Sequence, residues 1–208
     1  MNSASSNQTA ESVNLSPLYA EGEEITIRGE TLRIISIAGQ GRRSVVYQVE
    51  NNSDLRFALK IPVNREPDTL NSLKNEELKA RGYSRYGFKH AGVVVTGPDY
   101  ILKEWVDGMR GDIWTREWAE EGFPPDAPQI IQLGKLIRDS AKKKIYLRDL
   151  NQNNLIWDGE EWVIIDTGSV KIRLLSSRII QLYREYISEN WGRSTTPNCS
   201  EVFRRLLP

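Results

Sequence analysis

The stretch from Glu24 to Pro62 limits the possible folds most, because it alternates apolar and polar residues with a period of two and is rich in β-branched side chains. Four runs stand out, ITIRG, TLRIISIAG, SVVYQVE and LRFALKI, separated by Gly-Glu, Gly-Gln-Gly and Asn-Asn-Ser turns. They read as antiparallel strands. From Asp68 to about Gly82 the period changes. Leu70, Leu73, Glu77 and Ala80 fall at helical spacing behind a Pro67-Asp68 start signal, so one helix follows the strands. Two more strands, AGVVVTG and DYILKEWV, come next, the first closed by the Gly97-Pro98-Asp99 turn.

The second half is ordered differently. Pro128 to Ala141 places Ile130, Leu133, Ile137 and Ala141 on one face, and Lys142, Lys143 and Lys144 at its exit suit a helix C-terminus. A polar loop, LRDLNQNN, leads into LIW, an Asp158-Gly159 turn and WVIID, a hairpin signal. A last helical stretch is expected from about Ile172 to Trp191, with a short one after Pro197. Strands first and helices later predict an α+β fold.

Composition excludes several functions. Lys plus Arg equals Asp plus Glu at 28 each, so no net field draws the chain to nucleic acid or anionic lipid. No apolar run approaches the roughly eighteen residues of a membrane helix. One cysteine, Cys199, and one histidine, His90, rule out an internal disulfide framework and a His/Cys metal centre. Residues 1–20 are rich in Ser, Asn and Ala and lack Lys and Arg, which reads as a disordered leader.

The chemistry sits in a few polar residues. Gly39, Gly41 and Val46 fit the spacing GxGxxGxV, with Ser44 at the third glycine position; such glycines let backbone N–H groups approach phosphates. Ala58 and Lys60 alternate on one strand and so point the same way. An inward lysine needs a counter-charge, and Glu76 and Glu77 both lie within reach on the following helix. Glu76 is preferred because Leu73 and Ala80 flank it on the apolar face, with Glu77 close behind. Asp149 stands five residues before Asn154, and Asp166 follows twelve residues after Asn154 in the run Ile164-Ile165-Asp166-Thr167-Gly168.

RDLxxxN followed by IIDxG across a short hairpin resembles the catalytic loop and the metal-binding loop of protein kinases, over roughly residues 30–170. The resemblance implies a bilobal kinase-like fold, with a β-rich N-lobe over about 24–106 and a truncated, mainly helical C-lobe over about 107–208. It implies ATP and Mg²⁺ as ligands. Lys60 would hold the α- and β-phosphates and pair with Glu76, Asn154 and Asp166 would bind Mg²⁺, and Asp149 would accept the substrate hydroxyl proton. Glu104 and Val106, in the connector between lobes, would offer backbone groups to adenine, with Val46 and Ala58 packing on its face. Leu147 stands where most kinases have His, Asn151 where many Ser/Thr kinases have Lys, and Thr167 where the metal loop has Phe.

Only forty residues follow Gly168, and nothing among them is similar to the Ala-Pro-Glu element or the large helical platform of bigger kinases. The expected substrate is therefore a folded macromolecule recognised by its surface. Small size and a base-free leader resemble the compact effector kinases that bacteria inject into host cells through type III secretion, which makes the leader a candidate secretion signal. Overall size and the RDL and Asp-x-Gly loops are most similar to the group that phosphorylates the heat-shock protein 90 chaperone, ahead of the enteric group that binds ubiquitin-loaded conjugating enzymes. The resemblance implies a monomer acting in the host cytoplasm on a host protein, probing neither nucleic acid nor membrane. A small-molecule or atypical kinase on the same scaffold, and a pseudokinase binding module, are the alternatives. The six tryptophans read first as core or lobe-packing residues, with Trp114 and Trp118, four residues apart after the connector, the pair to test for partner contact.

Overall fold

A computed structural model describes residues 18–167, 170–172, 174–191 and 199–208. The leader as far as residue 17, and Gly168 of the Asp-x-Gly run, lie outside the described residues. The chain is a mixed α+β structure whose main sheet is curled, antiparallel and six-stranded, with five α-helices among the described residues.

The sheet is made by β1 (Glu24–Ile27), β2 (Glu30–Gln40), β3 (Ser44–Asn51), β4 (Arg56–Pro62), β5 (Val93–Thr96) and β6 (Ile101–Glu104), in the spatial order β1-β2-β3-β4-β6-β5. The period of two does the sorting. Val45, Tyr47, Val49 and Leu59 enter one core with Leu32, Ile34 and Leu102. The intervening residues Val46, Ala58 and Lys60 take the other face. Two register shifts in β2, between Ile34 and Ser36 and between Ile37 and Gly39, bend the strand that leads to the glycine turn.

Helix α1 (Pro67–Arg85) runs three residues beyond the expected end and begins, as expected, on a proline. Its buried face is Thr69, Leu73, Glu76, Ala80 and Tyr83, so two of its five inward positions are polar.

The chain leaves the sheet after Glu104 and enters a second core built around helices. The short strand β7 (Met109–Arg110) and helix α2 (Gly111–Glu120) come first, then α3 (Pro128–Lys142) and β8 (Ile145–Leu147). A 3₁₀ turn (Gln152–Asn154) leads to β9 (Leu155–Trp157) and β10 (Trp162–Ile164), which form the expected hairpin. Strand β11 (Val170–Ile172), helix α4 (Ser176–Asn190) and helix α5 (Cys199–Leu206) complete it. Ile172, expected to open a helix, instead ends a strand paired with Ile145, and the helix starts at Ser176. Glycine is obligatory at two joints: a Cβ at Gly108 (φ +143) would lie 2.1 Å from the Trp157 carbonyl oxygen, and one at Gly111 2.6 Å from that of Gln152.

Aromatic residues fill this second core. Trp114 and Trp118 stack at 5.2 Å between ring centroids, and Trp162, Trp191 and Phe203 meet them or one another edge-on or tilted. Both members of the Trp114/Trp118 pair are buried, in line with the core reading of the tryptophans, and their spacing on α2 serves packing. Cys199 is buried in the same core. His90 is a bracing residue, with Nε2 2.6 Å from the Ser84 hydroxyl and Nδ1 2.9 Å from the Ala91 carbonyl. No helix of the described residues is long and apolar enough to cross a membrane.

Candidate active site

The pairing Val46↔Lys60 between β3 and β4 puts Val46, Ala58 and Lys60 on the sheet face turned away from the first core. Lys60 reaches from there toward α1. Its Nζ donates to Glu76 Oε2 at 2.6 Å and to Asp166 Oδ2 at 3.1 Å. Glu76, not Glu77, is the partner; Glu77 pairs with Arg81 one turn along the same helix. The choice follows from rotation of α1, because Glu76 shares its buried face with Leu73 and Ala80.

A second buried lysine joins them, and sequence reasoning missed it. Lys103 on β6 donates to Glu76 Oε1 at 3.0 Å and to the Ile165 carbonyl at 2.5 Å, and only 4% of its side chain is exposed. The signal is faint in the sequence: Lys103 alternates with Ile101 and Trp105, but its inward direction depends on the pairing Ala58↔Lys103, which joins strands far apart in the chain. Lys60, Lys103, Glu76 and Asp166 thus form a charge-balanced cluster in which each oxygen of Glu76 serves one ammonium group.

These neighbours set the protonation states. Burial works against the Lys60 ammonium, but the Glu76 and Asp166 carboxylates more than offset it and hold its pKa above the ordinary lysine value. Burial likewise opposes the charge on Asp166, yet Lys60, Lys103 and Lys79 together hold its pKa below the usual aspartate value. The charges on Lys60 and Asp166 are therefore present at neutral pH. Asp166 keeps 46% of its side-chain surface open, whereas Glu76 keeps 4%. Of the two acids, Asp166 is the one a ligand can reach.

The loop from Arg148 to Asn154 is tied down from below. The Leu147 amide donates to the Tyr183 hydroxyl at 2.8 Å, and Trp191 Nε1 donates to the Leu150 carbonyl at 3.2 Å. Both anchors come from the C-terminal forty residues, so even this short helical part supports the loop. Asp149 adopts a left-handed conformation (φ 63), one that aspartate tolerates better than most residues. Asn154 Nδ2 donates to the Asp149 carbonyl at 2.9 Å, which fixes the amide end and leaves the side-chain oxygen as its remaining ligand atom. Asn151 accepts the Asn153 amide and caps the 3₁₀ turn.

One residue joins this loop to the charge cluster. The Ile165 amide donates to the Asn154 carbonyl at 2.9 Å, while the Ile165 carbonyl accepts from Lys103. Asp166 and Asn154 are held on one framework by that peptide. The Asp149 carboxylate is exposed, and among the described residues no hydrogen bond or ion pair joins it to the Lys60 cluster.

At the glycine turn, Gly39 pairs with Val46 and the Gly41 amide donates to the Ser44 carbonyl at 2.8 Å. A Cβ at Gly39 would meet nothing within 4 Å, and one at Gly41 would make only an ordinary contact. Packing within the chain therefore asks for glycine at neither position. In the connector, the Glu104 amide already donates to the Gly92 carbonyl at 2.9 Å and its carboxylate accepts from the Gly92 amide. The Glu104 amide is thus engaged within the chain. Val106 is half-buried, and Asp107 braces the segment by accepting from Arg56 and Trp105.

Among the described residues no group of three or more His, Cys, Asp or Glu could hold a metal ion unaided. Asp166 with Asn154 is a two-oxygen donor set of the hard type, which suits a cation that completes its shell with phosphate and water. No protein family model matches the chain, and no curated protein matches it.

Proposed function

We propose that the chain is an ATP- and Mg²⁺-dependent protein kinase on a bilobal kinase-like fold, cut down in its helical part. One observation carries the reading. Lys60, Glu76 and Asp166, from three separate stretches of chain, meet in one cluster, and Ile165 couples that cluster to Asn154 and its anchor on Asp149. Capping and turn formation explain each residue singly and leave that convergence unexplained.

Phosphoryl transfer asks a protein for position and countercharge more than for covalent chemistry. Mg²⁺ held by Asp166 and Asn154 would neutralise charge on the phosphate oxygens. Lys60 holds the triphosphate, exchanging its contact with Asp166 for phosphate while Glu76 keeps it oriented. The bond between the γ-phosphorus and the bridging oxygen to the β-phosphate breaks, a bond from the γ-phosphorus to an acceptor hydroxyl oxygen forms, and Asp149 takes the hydroxyl proton. Open space above Gly39 suits close approach of phosphate to backbone.

The segment after Asp166 supports a folded protein as substrate. It returns at once to pair with β8, Val170 opposite Leu147, so it provides no long platform for an extended peptide. Delivery by bacteria into host cytoplasm, action on the heat-shock protein 90 chaperone, and monomeric state are proposed on the resemblance of the loops, leader and size. Incubation with γ-labelled ATP, Mg²⁺ and eukaryotic lysate tests the reading. A labelled band formed by the wild type and lost with Asp166→Ala is expected; nucleotide binding without transfer to any protein would overturn it in favour of a binding module.

A further inference from the structure

Lys103 is hard to account for as part of the sheet. A buried ammonium costs several kcal/mol unless it is paired and hydrogen-bonded, and an apolar residue at this position would stabilise the strand at no such cost. Yet Lys103 directs its hydrogen bonds to two separate parts of the proposed active site: the Glu76 carboxylate on α1 and the Ile165 carbonyl one residue before Asp166. We infer that Lys103 is a positioning residue, which clamps α1 and the Asp166 segment to the sheet so that the site stands assembled before any ligand arrives. This rests on the kinase reading and extends it to regulation of the same site.

Three observations converge on that role. First, α1 relies on side-chain contacts to fix its rotation, because its N-cap residue, Glu66, makes no side-chain cap and its fully buried apolar positions are Leu73, Ala80 and Tyr83. Glu76 sits at the centre of that face, and what holds Glu76 decides where the helix points. Second, a separate bond ties the same two parts together. Thr167, 1% exposed, donates its hydroxyl to the Glu76 carbonyl at 3.3 Å. Third, the segment beyond is already paired as β11 with β8 over Val170–Ile172.

Lys103 also solves an electrostatic difficulty. When Lys60 turns part of its charge to a triphosphate, Glu76 keeps a cationic partner through Oε1, and so stays in place while buried. The cluster therefore permits Lys60 to serve the ligand without releasing α1.

The test compares the full-length wild type with Lys103→Met, which keeps volume and removes charge, and Lys103→Gln, which keeps a donor and removes charge. Amide hydrogen exchange of α1 over residues 69–80 is measured beside α3 over residues 128–142, and turnover is measured at saturating Mg-ATP. In both variants α1 is expected to exchange about fivefold faster or more with α3 unchanged. Turnover is expected to fall about tenfold or more. Unchanged α1 exchange, or turnover at the wild-type level in either variant, overturns the inference while the kinase reading stands. Equal acceleration in α1 and α3 also overturns it, since that marks a general packing role. If the wild type transfers no phosphoryl group, the kinase reading fails, and the exchange comparison alone decides whether Lys103 clamps α1.

Discussion

Replacing Glu76 by Gln removes one negative charge with almost no change in shape, and the structure permits its cost to be worked out. Glu76 has 4% of its side chain exposed and faces two ammonium groups, Lys60 at 2.6 Å and Lys103 at 3.0 Å. A neutral amide can accept from one of them, but its NH₂ end must then confront the other, donor against donor. Removing one partner of a buried ion pair costs about 3–5 kcal/mol. The lower end applies here, because Lys60 keeps Asp166 and Lys103 keeps the Ile165 carbonyl. A loss of about 3 kcal/mol lowers the melting temperature of a chain this size by about 6–12 °C. Urea unfolding, followed by circular dichroism and tryptophan fluorescence, measures it. The double variant with Lys103→Met should recover about 2 kcal/mol of the loss, since it removes the stranded ammonium together with the charge it needed. A loss below about 1 kcal/mol with no such coupling would refute the reasoning, because Glu76 would then be solvated and not enclosed between two cations.

Other outcomes follow from single contacts. The Asp158 carboxylate accepts from the Glu160 and Glu161 amides and from Lys89; burial opposes its charge, but these bonds win and its pKa falls to about 2. A depressed folded pKa stabilises above the unfolded value and is lost on acidification. Asp158→Ala should therefore cost about 1–2 kcal/mol at neutral pH after allowance for solvent screening, and the gap from wild type should close as pH falls from about 4 toward 2 in denaturant titrations. Tyr183→Phe strands the buried Leu147 amide, and should cost about 1–3 kcal/mol in urea unfolding; under the proposed kinase function it should also slow phosphoryl transfer by loosening the loop. Cys199 is fully buried, so its reaction with a thiol reagent should track global unfolding in denaturant and be negligible in the native state.

Much of the first half was legible because its signals are local. Alternation from Glu24 to Pro62 announced four strands, and all four occur within a residue or two of the expected bounds. Glu76 was readable as the partner of Lys60 for the same reason, since Leu73 and Ala80 mark the buried face of α1. Lys103 was not, because its direction depends on a register between β4 and β6 that no local pattern encodes. Helix α2 went unread although Trp114 and Trp118 stand one turn apart, because two tryptophans among charged residues do not by themselves mark a helical apolar face. The Ile172 region failed differently. Val170-Lys171-Ile172 has β-branched alternation too short to outweigh the helical run behind it, and only pairing with β8 makes it a strand. The positive φ of Asp149 and the link through Ile165 are likewise products of tertiary contact.

A crystal structure of the chain with Mg²⁺ and a non-hydrolysable ATP analogue bears most directly on the claim that these residues serve a metal-bound triphosphate. The expected result is an octahedral cation about 2.1 Å from oxygens of Asp166 and Asn154, with Lys60 moved from Asp166 onto phosphate and still paired with Glu76. A nucleotide bound elsewhere, or a Lys60–Asp166 pair left intact beside it, would contradict that claim.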